Sequence, residues 1–335
     1  MTTMLVAAIA VLGLSSPIPT DAAPLRNVDD ALARIIAVLD RPARTPAQHE
    51  HNVTVALTML DQFERDHPEP EHRATAALIR AQCHLGLEDY PRALAEIDTA
   101  LALPLGQVHA PVARYLRGRI LIFMNEHEEG IATIRHMLRD SPNHDIAPEA
   151  RLTLAQALAD GGQGKAAAAL LDTVVRAGRP TWAVQAAQMM IPAFRMIGER
   201  APDFDTEALD GGRISLGLYR GRVVLLDFWA TWCAPCRVTM PDVIRLYHRY
   251  HSRGFDVIGI SLDHSPESLR DYVSRQGIPW RHVFDGLGWN SSLAKLYEVT
   301  GIPKTFLVDK DGRVSAIDLR GERLEAAVQR LLARP

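Results

Sequence analysis

Residues 223–236 read VVLLDFWATWCAPC, an apolar run that ends in two cysteines separated by two residues. Val223 to Trp229 is apolar throughout except for Asp227, the pattern of a strand buried on both faces rather than of a helix. Cys233-Ala234-Pro235-Cys236 follows that strand directly and opens a helix expected over Pro235 to His251. The placement has chemical consequences. A helix amino terminus directs unpaired N–H groups and the positive end of its dipole at Cys233, which favours the thiolate, the attacking species in disulfide exchange. The spacing puts Cys236 one turn along, beneath Cys233, where it can resolve a mixed disulfide. Asp227, six residues before Cys233, is a carboxylate in an apolar strand. Such a group has a raised pKa and suits a proton acceptor for the resolving thiol.

Outward from this stretch the pattern continues. Further strands are expected at Phe255 to Leu262, around His282-Val283-Phe284, at Thr305 to Val308 and at Val314 to Leu319. Helices are expected at Pro266 to Gln276, with Ser265 as N-cap, at Ser292 to Val299 and at Glu322 to Ala333. Alternating strands and helices imply an α/β domain.

Residues Ala201 to Pro335, about 40% of the chain, resemble the thioredoxin superfamily, most closely its exported TlpA-like disulfide oxidoreductases. The motifs that match, in order, are Ala201-Pro202-Asp203-Phe204, the Asp210 to Leu216 segment DGGRISL, Gly221 to Leu226, Phe228 to Trp232, and Gly301 to Asp309, GIPKTFLVD. Asp227, Cys233, Cys236, Pro241 and Pro303 each stand at the position that the resemblance assigns them. It implies that Pro303 is cis and faces the redox pair, that the backbone of Ile302 pairs with an extended substrate segment, and that Trp232 also meets substrate. It further implies a reductase of protein disulfides, working outside the cytoplasm on electrons from a membrane donor. Two positions depart from the family. Thr239 replaces the Glu that cytochrome-maturation members commonly carry, which argues against haem-protein thiols as the substrate. Gly259 stands where thioredoxins often place a Lys, so Asp227 loses a cationic neighbour and its pKa rises further.

Three other readings of the pair fail. A zinc site at Cys233, Cys236, His248 and His251 would need ligands within about 2 Å of one ion, yet His248 lies roughly 18 Å along the helix at about 1.5 Å per residue. A peroxidase needs Pro and Thr seven and three residues before its reactive Cys, where this chain has Leu226 and Ala230. A structural disulfide closing so short a loop removes little unfolded-state entropy, and it leaves Asp227 and Pro303 without a purpose.

The preceding half is different in kind. From about Val28 to Gly198 apolar residues recur at helical spacing, and the segment repeats on itself at a shift of 37 residues. That shift superposes Ala56, Ala93, Gly130 and Ala167, then Leu57, Leu94, Ile131 and Ala168, then Leu60, Ile97, Ile134 and Leu171. A second small set, Ala81, Gly118 and Ala155, falls on the preceding helix of each unit, and Pro68, Pro104, Pro142 and Pro180 close the units. Helix–turn–helix units of this length stack into a solenoid. Ala77 to Pro104 most resembles a tetratricopeptide repeat, while the first unit shows no clean leading helix. Cys83 lies on a first helix among small and apolar positions and reads as a buried, inert thiol.

A chain of 335 residues with 47% apolar and 23% charged residues is long enough for two cores. Its formal charge of -3 gives no reason to expect nucleic acid as a partner. Three cysteines exclude a disulfide-stapled scaffold. Met4 to Leu14 is an uncharged apolar run of signal-peptide length, with a small-residue cleavage site before Ala23, although no Lys or Arg precedes it. The expected organisation is therefore a signal peptide over 1–23 (or, uncleaved, a membrane tether), an all-α tetratricopeptide-like repeat domain over 27–198, and an α/β thioredoxin-type domain over 199–335. The expected function is a thiol-disulfide oxidoreductase of the periplasm or another extracytoplasmic space, with Cys233, Cys236 and Asp227 catalytic, Trp232, Ile302 and Pro303 binding substrate, and no cofactor or metal. Expected partners are protein disulfides, a membrane electron donor and a peptide or protein held by the repeats. The competing reading is an interaction scaffold whose repeats carry the function, with the redox domain incidental or acting as an oxidant.

Overall fold

The computed structural model describes residues 28–43 and 45–334. The apolar run at 4–14 and its cleavage site lie outside the described residues. The chain forms two compact units, Met1–Leu154 and Ala155–Pro335.

The first unit is helical: α1 (Val28–Leu39), α2 (Pro46–Asp66), α3 (Pro70–Gly86), α4 (Tyr90–Leu101), α5 (Gly106–Phe123), α6 (His127–Asp140) and the start of α7 (Ala147–Asp160). From α1 to α6 each helix packs on the next, and α3 also touches α5. The starts are marked locally. Thr45 Oγ1 accepts from the Gln48 N–H at 3.2 Å and Asp89 Oδ1 from the Arg92 N–H at 3.2 Å, with a proline in the first turn of each helix. The small-residue columns lie where helices meet. Ala56, Ala93 and Gly130 are buried, as are Leu60, Ile97 and Ile134 one turn on. A Cβ on Gly130 would sit 2.6 Å from the Gly118 carbonyl oxygen, and one on Gly118 would sit 2.6 Å from Ile134 Cγ1. Only residues without a side chain allow α5 and α6 this approach. The first unit does have a leading helix, contrary to the sequence expectation. Ala31, Leu32, Ile35, Ile36 and Leu39 give α1 a buried stripe at helical spacing, packed on α2.

The second unit opens with α8 (Gly164–Ala177) and α9 (Thr181–Met196), which pack together with Ala167 and Leu171 fully buried. Strands follow: β1 (Asp205–Glu207) and β2 (Arg213–Ser215) make a short antiparallel pair. Next come β3 (Val223–Trp229), α10 (Ala234–Tyr250), β4 (Phe255–Ser261), α11 (Pro266–Gln276), β5 (Arg281–Phe284), α12 (Ser292–Leu296), β6 (Lys304–Val308), β7 (Val314–Ile317) and α13 (Gly321–Leu332). Their sheet has the order β5-β4-β3-β6-β7, with β3 parallel to β4 and antiparallel to β6. Every residue of β3 is buried, as a central strand covered on both faces requires. The expected helix at Ser292 to Val299 stops at Leu296 because Glu298 takes φ 53°, and the expected strand to Leu319 stops at Ile317 because Asp318 takes φ 57°. A left-handed residue continues neither element.

The chain leaving α9 joins the sheet edge. The Gly198 N–H donates to the Val314 carbonyl at 2.8 Å, and the Val314 N–H donates to the Glu199 carbonyl at 2.9 Å. Arg323 of α13 is ion-paired to Asp160 at the end of α7. The helical pair α8–α9 thus belongs to the same compact unit as the strands.

Candidate active site

Strand β3 delivers Trp229 to the carboxyl edge of the sheet, and the next four residues turn the chain into α10. Cys233 is the N-cap of that helix, Pro235 lies in its first turn, and the Cys236 N–H donates to Cys233 Sγ at 3.2 Å. Cys233 and Cys236 are joined by a disulfide, their Cα atoms 5.3 Å apart. Both cysteines are buried, Cys233 at 5% exposure and Cys236 at 1%.

The turn before the pair is held by a residue that sequence reasoning missed. The carboxylate of Asp263, just past β4, accepts from the Thr231 N–H at 3.1 Å and from the Thr231 hydroxyl at 2.6 Å. Its second oxygen accepts from the Ser261 hydroxyl at 2.8 Å. Charge-assisted bonds of this kind fix the loop that presents Cys233. No local pattern links Thr231 to a residue 32 positions away.

Asp227 stands on β3 in register with Gly259 of β4 and Thr305 of β6. Burial pushes its carboxyl from 3.8 up to about 7, and the positive charge of Arg320 offsets this only in part. The structure explains Gly259. A Cβ there would lie 2.4 Å from the ring of His282, itself buried and held neutral, its pKa lowered to about 4 by desolvation. Arg320 is the cation left to Asp227, and it also donates to the Pro303 carbonyl at 3.2 Å, a role the sequence did not reveal.

Ile302–Pro303 is cis. Pro303 and Thr305 line a groove of about 670 Å³ together with Asp227, Thr239, Arg320 and the apolar side chains Val243, Leu246, Leu319 and Leu324. The groove runs between α10 and the start of α13. Thr239 turns its hydroxyl back onto its own helix, donating to the Cys236 carbonyl at 3.0 Å. In the loop just before the pair, Trp232 is half exposed and lies 6.2 Å, ring to ring, from the equally exposed Trp289. His248 and His251 stand in the last turn of α10 and beyond it, while Cys236 is in the first turn. Cys83 is fully buried on α3, and desolvation pushes its thiol up to about 12.

Elsewhere, among the described residues, one group brings potential metal ligands together: His67, Glu69 and His72, with ligand atoms within 4.8 Å of one another. It spans the loop between α2 and α3 and the first turn of α3, where Glu69 is exposed and already bonded to His72 at 3.0 Å.

Comparison with known proteins gives a consistent result. A family model described as the AhpC/TSA family matches residues 197–317. The thiol-disulfide oxidoreductase ResA of Bacillus thuringiensis subsp. konkukian is 32% identical over 136 residues, 41% of this chain and 76% of that protein. The protein of the same name from Bacillus subtilis is 30% identical over 117 residues, 35% of this chain and 64% of that one. Among solved structures, the thioredoxin domain of a thiol-disulfide oxidoreductase from Bacteroides vulgatus is 29% identical, covering 40% of this chain and 96% of its own, with a TM-score of 0.38.

Proposed function

Because this chain belongs to the thiol-disulfide oxidoreductases of the thioredoxin superfamily, we propose that it reduces protein disulfides outside the cytoplasm through a Cys233/Cys236 dithiol with Asp227 as proton acceptor. In the reduced protein the Cys233 thiolate attacks one sulfur of a substrate disulfide. That bond breaks, a mixed disulfide with Cys233 forms, and the first substrate thiolate leaves. Cys236 passes its proton to Asp227 and attacks the Cys233 sulfur. The second substrate thiolate leaves and the protein keeps the disulfide, two electrons having passed to the substrate. A membrane dithiol donor then restores the pair.

The observation that carries this reading is the placement of the Cys233 sulfur at the N-cap of α10, accepting the Cys236 N–H at 3.2 Å. That geometry stabilises a thiolate. The reductive direction rests on the resemblance of residues Ala201 to Pro335 to the TlpA-like oxidoreductases. Trp232, Ile302 and Pro303 are the substrate-binding residues of the proposal.

The helical region over 27–198 is read as a tetratricopeptide-like solenoid that holds a peptide or protein partner. Its 37-residue columns and the Gly118–Gly130 approach support that reading. Export rests on the apolar run Met4 to Leu14. The proposed boundary near 198 follows the change from helices to strands, whereas the compact units divide between Leu154 and Ala155.

Substrate trapping tests the chemistry. With Cys236→Ser the resolving thiol is gone, so mixed disulfides through Cys233 should accumulate and be identifiable by mass spectrometry. An equal yield from Cys233→Ser would reverse the two roles.

A further inference from the structure

The structure points to Trp289 as a second substrate-docking residue, which with Trp232 forms an aromatic shelf that selects disulfides flanked by a large apolar side chain. The inference rests on the reading that Cys233 attacks. Trp289 lies 57 residues beyond Trp232, yet their ring centroids are 6.2 Å apart and their planes inclined by 57°. Trp232 is 51% exposed and Trp289 48%, with Leu287 beside it at 53%. Neither indole N–H is bonded among the described residues, so each can donate to a docked peptide as well as cover an apolar side chain.

The shelf is built rather than accidental. The loop that carries Trp289 is pinned on both sides. The Asp285 carboxylate accepts from the Leu287 N–H at 3.1 Å and from the Ser292 N–H at 3.0 Å. His264 Nδ1 bonds the Gly286 carbonyl at 3.0 Å. The His264 ring also lies against Gly288, where φ is +54° and an added Cβ would sit 2.5 Å from Cε1. A short 3-10 turn, Gly288–Asn290, then lifts Trp289 toward Trp232. Fixing a Trp half out of solvent exposes apolar surface that folding would otherwise bury. These bonds hold the backbone on both sides of Trp289.

The occupant follows from continuity with the reacting sulfur. Trp232 adjoins Cys233, whose sulfur is nearly covered, so a substrate reaching it must lie across the neighbouring surface. The partner is therefore a polypeptide disulfide with Phe, Leu or a similar residue next to the attacked cysteine. Aromatic contacts of this type contribute about 0.5–1.5 kcal/mol, equivalent to about two- to tenfold in rate constant.

The test uses the full-length reduced protein and two short peptides carrying the same intramolecular disulfide, one with Phe and one with Gly beside the first cysteine. Wild type should reduce the Phe peptide with the higher kcat/KM. Trp289→Ala should shrink that preference by about two- to tenfold, and Trp289→Phe should restore most of it. The reduction potential against glutathione should not move. An undiminished preference in Trp289→Ala, or an equal loss on both peptides together with a shifted potential, would overturn the inference. If wild type reduced neither peptide, the redox reading itself would fail instead.

Discussion

Asp227→Asn separates the energetic burden of the buried acid from its chemical use. The unfolded chain releases this proton near 3.8 and the folded protein only near 7. Between those values the folded state binds more protons than the unfolded one, so stability falls as pH rises. Each pKa unit corresponds to about 1.4 kcal/mol, which makes the full decline about 4 kcal/mol, complete by about pH 8 and absent below about pH 4. The isosteric amide does not titrate and should lack this decline. Urea denaturation of the oxidised protein should therefore show variant and wild type nearly equal at pH 4, with the variant more stable at pH 8 by up to about 4 kcal/mol.

Catalysis should move the other way. A positioned general base contributes about 10²–10⁴-fold, so release of a chromogenic thiol from a preformed Cys233 mixed disulfide should slow by at least about a hundredfold in the variant. The wild-type release rate should rise with pH through about 7, and that limb should vanish in Asp227→Asn. The first attack on substrate should change little. Parallel stability curves would mean that the carboxyl is not desolvated as the fold implies. An unchanged release rate would remove Asp227 from the mechanism.

Two further substitutions probe the supports. Asp263→Ala leaves the Thr231 N–H and hydroxyl without their acceptor and should lower stability by about 1.5–3 kcal/mol. Reduction of a small disulfide should slow with it, and Asp263→Asn should recover part of both; full activity in the Ala variant would deny the loop its anchor. Gly130→Ala drives a methyl to 2.6 Å from the Gly118 carbonyl oxygen and should destabilise the helical unit by about 1–3 kcal/mol. Because the redox pair lies in the other unit, circular dichroism should report the loss while small-disulfide exchange persists, and a neutral substitution would contradict the close helix approach.

The parts of this molecule that were legible in its sequence are those encoded by neighbours. Asp227, Cys233 and Cys236 lie within ten residues, and strand, turn and helix place them with little freedom. The buried columns were legible because packed helices repeat a steric demand at a regular interval, and Leu60, Ile97 and Ile134 are all buried. Asp263, Arg320 and Trp289 were not legible. Each reaches the site from a separate loop or strand end, and the demand it meets exists only once the sheet has ordered β4, β3 and β6 side by side. Gly259 shows the same limit. Its departure from the family pattern was visible, but its cause, the ring of His282 lying where a side chain would go, belongs to a neighbouring strand.

The two sides of the redox pair divide its work. In the proposed cycle substrate reaches the Cys233 sulfur from the side of Trp232 and Trp289. While a mixed disulfide holds that side, the proton taken from Cys236 needs another way out, or Asp227 would remain protonated and the next cycle would lack its base. The groove provides that way. Asp227 lines it together with Arg245 and Arg249, whose side chains are largely exposed, and the proposed proton route runs through that groove. A pKa near 7 suits both halves of this cycle, since the group then takes a proton from a thiol and returns it to water at similar cost. A carboxyl with the ordinary pKa would be a poor acceptor, and one raised much further would not release the proton. The depth of Asp227 in β3, close enough to the groove to exchange and buried enough to shift, is the compromise that the fold makes between these demands.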